Sequence, residues 1–176
     1  GLLLTAGSVI VLGYVGWYIA TKCDARARAD MLLALTLIAG AVVYVGADNT
    51  RRINPAFREH AGVLMAFRAT DGAFLWQDVA PRVERGLREF LLPSTTSAPY
   101  VEGNRLYYVT AECQLRCLDT QGFRDGENNG RYREEVFQHN AAADIVWELD
   151  MCARLGVFPH EASNSEVLPV GDLLMV

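Results

Sequence analysis

Beyond residue 47 the sequence contains no lysine, and nowhere does it carry a basic stripe. The residues from 48 onward hold 13 Arg against 19 acids, a net of −6. Residues 1–47 hold only Lys22, Arg26, Arg28, Asp24 and Asp30, a net of +1. Affinity for nucleic acid rests on neutralised phosphates, so an acidic domain of this kind argues against that partner. There is no Gly-rich phosphate loop, and no carboxylate pair in a context that supports acid–base catalysis. Charge of either sign is also missing from two stretches at the front, Leu2–Ala20 and Met31–Ala47.

Leu2–Ala20 is 19 residues without a charge, close to the roughly 20 needed to cross a bilayer. Gly7, Gly13 and Gly16 would weaken a soluble helix but are common in membrane helices. Trp17 and Tyr18 end the run, where aromatic rings favour the headgroup layer. A cleaved signal peptide is the alternative, set against by the length of the run and by the second run behind it. That second run, Met31–Ala47, is 17 uncharged residues after the polar turn "TKCDARARAD". Its end, "AVVYVGADN", reads either as the last turns of a helix or as a β-strand. A strand there would leave "MLLALTLIAG", ten apolar residues too short to cross. The expectation is therefore one helix over 31–47, and with 2–20 a membrane α-helical hairpin. The positive-inside count is nearly tied, with Lys22, Arg26 and Arg28 before the second run and Arg51, Arg52 and Arg58 after it.

From Val63 the period changes to that of strands. "GVLMAFRATDGAFLWQD" reads as strand, Asp-Gly turn, strand. "PYVEGNRLYYVTAECQLRCLDTQG" repeats the design, with strands near Arg105–Thr110 and Leu115–Asp119. "ADIVWELD" supplies another strand with Trp147 placed as Trp76 is in the first unit, and "EVLPVGDLLMV" begins the next. A hairpin recurring with a late Trp indicates repeated antiparallel blades. Both Trp side chains are expected in the core. Only part of a ring is present, since propellers need roughly four to eight blades. Together with the start at Gly1 and the end inside "GDLLMV", this reads as a piece of a longer protein. Between the units, "PRVERGLREFLLP" has helical spacing; it would pack on the blades or lie on a membrane or partner.

"LMAFRATDGAFLW" and "RCLDTQG…ADIVWELD" resemble the β-propeller repeats of quinoprotein dehydrogenases, which bind pyrroloquinoline quinone. The resemblance covers about Ala61–Val176. Arg68 departs from it where the repeat has Asp, and Asp71 where it has Thr. It implies an incomplete β-propeller over 48–176, on the periplasmic side of a bacterial inner membrane. The adjacent Cys-Cys pair that some quinone dehydrogenases set against their cofactor does not occur.

Candidate chemical groups are sparse. Asp125, Glu127 and Asn129 in "DGENNG" alternate as in the opening of a calcium loop, but Val136 stands where the bidentate Glu is required. The competing reading is a polar turn. Cys113, Cys117 and Cys152 could pair in an exported domain, as Cys113–Cys117 or Cys117–Cys152, with the pairing open. Cys23 reads as a free thiol. His160, beside Glu161, has no nucleophile or further ligand at useful spacing and reads as a loop histidine.

Two functions compete. In the first, the chain is a membrane-anchored, non-catalytic scaffold in a respiratory or photosynthetic electron-transfer complex, in contact with lipid and other membrane subunits and without a cofactor of its own. In the second, it is the front of a membrane-bound alcohol or sugar dehydrogenase that would use pyrroloquinoline quinone and calcium. The incomplete blade set favours the first.

Overall fold

The structure is a computed structural model describing residues 41–49, 61–81, 94–135, 137–156, 163 and 165–176. Two units divide the chain. In the first, the described residues are Ala41 and the turn 69–71, where Ala69 N–H donates to Ala41 O at 2.9 Å. The second, 42–68 and 72–176, contains every element below.

The first sheet has the order β1 (Val42–Asp48), β2 (Ala61–Arg68), β3 (Phe74–Pro81), all antiparallel. The stretch expected to end a membrane helix is thus strand β1, paired from Val42↔Arg68 to Asp48↔Gly62. Three valines and a tyrosine in four positions favour a pleated backbone. Their period is two, with Val42 and Tyr44 packed on the core and Val43 and Val45 49% and 39% exposed. Gly46 permits a close crossing, because a Cβ there would lie 2.2 Å from Thr95 O. This strand overturns the helix over 31–47 and with it the helical hairpin; Leu2–Ala20 lies outside the described residues. Among the described residues no helix is long and apolar enough to cross a membrane.

The second sheet is a meander of β4 (Tyr100–Glu102), β5 (Arg105–Val109), β6 (Gln114–Asp119) and β7 (Asp144–Asp150). Two turns of chain close off its strands, a 3-10 turn at Gly122–Asp125 and the short helix α1 (Met151–Leu155), capped by Asp150. The third sheet is the hairpin β8 (Leu168–Val170) and β9 (Leu173–Met175). The described residues thus form three small antiparallel sheets of three, four and two strands in place of the expected incomplete propeller, and no propeller closure is seen.

The repeat itself is visible in the register. Trp76 pairs with Ala66 next to a bulge in β3 that leaves Leu75 without a cross-strand partner, and Trp147 pairs with Cys117 next to a bulge in β7 that does the same to Val146. Burial separates the two. Trp76 is fully buried in the core shared by the first two sheets, with Leu64, Leu106 and Leu118. Its Nε1 donates to Thr120 O at 2.9 Å, and Gly122, at φ 58°, has no room for a Cβ, which would lie 2.6 Å from Ala142 O and 3.1 Å from the Trp76 ring. Trp147 is half-buried in a smaller cluster with Leu115 and Met151, so equal burial of the two rings is not observed.

Candidate functional site

β3 and β6 each place a charged residue inside the core, against the preference of charged groups for water. Arg116, 4% exposed, stands on β6 and reaches across to the first sheet. Its Nη1 donates to both carboxylate oxygens of Asp78 at 3.0 Å and to Val79 O at 3.3 Å. Its Nε donates to Glu148 Oε2 on β7 at 2.7 Å. Asp78 also accepts from the Tyr108 hydroxyl at 2.5 Å, and Gln114 Nε2 donates to Glu148 at 3.2 Å. Burial works against the Arg116 charge, but Asp78, Tyr108 and Glu148 outweigh it and hold the guanidinium charged. Burial, reinforced by the Asp78 charge, pushes the Tyr108 hydroxyl well above the usual tyrosine range, so it stays a donor.

This network floors a cleft of about 260 Å³ between β3, β6, β7 and the residues Tyr132, Glu134, Glu135 and Phe137. Among the described residues, Asp78, Glu134, Glu135 and Glu148 line it against one cation, Arg116, which is already engaged. Two groups on its wall have no partner. Gln77, 3% exposed, has an unbonded Nε2, and both carboxylate oxygens of Glu135 are shielded from solvent without a hydrogen bond. Gln77 is held by its backbone, which exchanges bonds with Ala141 O at 3.0 Å and Ala143 N–H at 2.9 Å. Pyrroloquinoline quinone, a tricarboxylate, does not fit here: the lining is acidic and its guanidinium is spent on Asp78 and Glu148.

The loop proposed for calcium is organised by its backbone. Asp125 and Glu127 are exposed, and Asp125 accepts the Glu127 N–H at 2.9 Å. Asn129 turns instead to Asp144, donating its N–H at 2.7 Å. Among the described residues no three His, Cys, Asp or Glu side chains are grouped as a metal site needs. Cys113, Cys117 and Cys152 are free thiols. Cys113, which adopts φ 63° in the turn before β6, has its thiol beside that of Cys152 and the hydroxyl of Ser163, and burial first, then Cys152, pushes it up. Cys117 sits apart, accepting from the Tyr107 hydroxyl, and burial pushes its thiol up to about 11. His160 and Cys23 lie outside the described residues.

Arg116, Asp78, Glu148, Gln77 and Glu135 were not legible as a site in the sequence. A signal was there in charges at inward positions of apolar strands, "LWQDV", "LRCL" and "VWEL". No protein-family model matches the chain, and comparisons with curated proteins and with solved structures find no match either.

Proposed function

We propose that the chain is a non-catalytic accessory subunit that helps assemble or stabilise a multi-subunit membrane electron-transfer complex, respiratory or photosynthetic. The observation that carries this reading is the apolar surface of β8–β9. Leu168, Val170, Leu173 and Met175 are 49–70% exposed on a hairpin of three residues per strand. An isolated two-stranded hairpin is marginal in water, and clustered exposed apolar side chains mark an interaction surface. Unpaired strand edges accept a strand from another chain. The buried charges nearest the cleft support a structural role, because Arg116, Asp78 and Glu148 satisfy one another. The membrane setting rests on the uncharged run Leu2–Ala20, and the electron-transfer setting on the quinoprotein-like repeat. The bacterial inner membrane, with the sheets on the periplasmic side and other integral subunits as partners, is the corresponding location.

The test is co-purification in mild detergent, followed by size-exclusion chromatography. The chain is expected in a larger assembly, with an interface on the order of 1,200–2,000 Å². Leu173→Asp should release it while leaving its own unfolding temperature unchanged. A monodisperse monomer that reduces an artificial acceptor after addition of quinone and calcium would overturn the reading.

A further inference from the structure

We propose that the cleft floored by Arg116 binds a small organic cation, a protonated amine or a guanidinium that also carries an oxygen acceptor. Buried polar groups in folded proteins nearly always find partners. Here a donor, Gln77 Nε2, and two acceptors, the Glu135 oxygens, are left unbonded on the wall of one cavity. Complementing them takes a ligand with an oxygen for Gln77 and N–H donors for Glu135. Charge selects the sign. Among the described lining residues four carboxylates face one guanidinium, which Asp78 and Glu148 already neutralise, so an anion is repelled and a neutral ligand leaves Glu135 uncompensated.

A bare metal ion is disfavoured by the same geometry, since no three acidic side chains are grouped to coordinate one among the described residues. The remaining walls suit the carbon skeleton of an organic ligand. Ala143 and Ile145 present aliphatic surface, and Tyr132 and Phe137 present rings toward which a cation is attracted. The volume, about 260 Å³, lies below the roughly 300–1,000 Å³ of sites for drug-sized molecules. It matches a ligand the size of an amino acid or an amino sugar.

The experiment is calorimetric titration of the full chain with argininamide and with glucosamine, beside acetamide, calcium and magnesium. One of the two organic cations should bind with one-to-one stoichiometry, and acetamide and the metals should not. Glu135→Gln preserves the shape and removes the charge. It should weaken binding about tenfold or more, as expected for loss of a charge-assisted bond, while keeping or raising the unfolding temperature, because no internal partner is lost. Gln77→Leu, at the buried end, should also lower affinity; Glu134→Gln, at an exposed position, should lower it less than Glu135→Gln. The proposal is overturned if neither organic cation binds saturably, if the metals bind in their place, or if Glu135→Gln binds as the parent does.

Discussion

Asp144 is fully buried on β7, with one carboxylate oxygen bonded to Asn129 N–H and the other without a partner. Burial raises its carboxyl above the ordinary 3.8, opposed by the bonds from Asn129. A raised folded value means that the folded chain holds its proton longer than the unfolded chain, so stability falls as pH rises. The loss begins near 3.8 and is complete above the raised folded value. Asp144→Asn keeps an acceptor for Asn129 and removes the charge. In urea titrations the variant should gain on the parent across that window and hold a constant lead above it; parallel pH profiles would contradict this. The thiols behave as differently from one another. Cys117, 1% exposed and pushed up to about 11, should resist iodoacetamide near pH 8 in the folded chain. Mild oxidation by a disulfide reagent should join Cys113 to Cys152, and peptide mapping that instead found Cys117 in the bridge would refute the arrangement.

Arg116 ties three strands together, β6 to β3 through Asp78 and β6 to β7 through Glu148. Removing one partner of a buried ion pair leaves an uncompensated charge, which costs about 3–5 kcal/mol. Arg116→Met should lower the urea midpoint accordingly, and adding Asp78→Asn and Glu148→Gln should restore much of the loss. If Arg116→Met alone were neutral, the network would not be holding the sheets. At this scale the strands β2, β3, β5, β6 and β7 were legible from alternation and turn residues, and the shared Trp register repeats the sequence repeat. β1 was not. Its apolar residues continue an uncharged run, and run length spoke for a membrane while the β-branched composition spoke for a strand. Pairing along all of β1 with β2 decided it.

Across the whole β-rich unit, packing is uneven. The first two sheets share a core with Trp76, Tyr108 and Leu118 fully buried, whereas β8–β9 touches the smaller cluster mainly through Leu174. Local opening free energies follow such differences. In the isolated chain, amides of Leu168–Val170 and Leu173–Met175 should exchange with solvent well before those of β2 and β6. Equal protection would show that the hairpin is already fully packed, and would remove the surface on which the assembly reading rests.

What the sequence alone determined is local: alternation made strands, Asp-Gly and Gly-Asn made turns, and the recurring Trp marked equivalent positions. Tertiary structure decided the rest. Whether "VVYV" is strand or helix depended on the partner β2, which lies some twenty residues further along the chain. Cys113 met Cys152 because the end of β7 returns to the turn before β6, where Met151 N–H donates to Cys113 O at 3.2 Å. The acidic cleft formed because residues from β3, β6, β7 and a loop converge, and linear spacing carries no information on side chains brought together from distant strands.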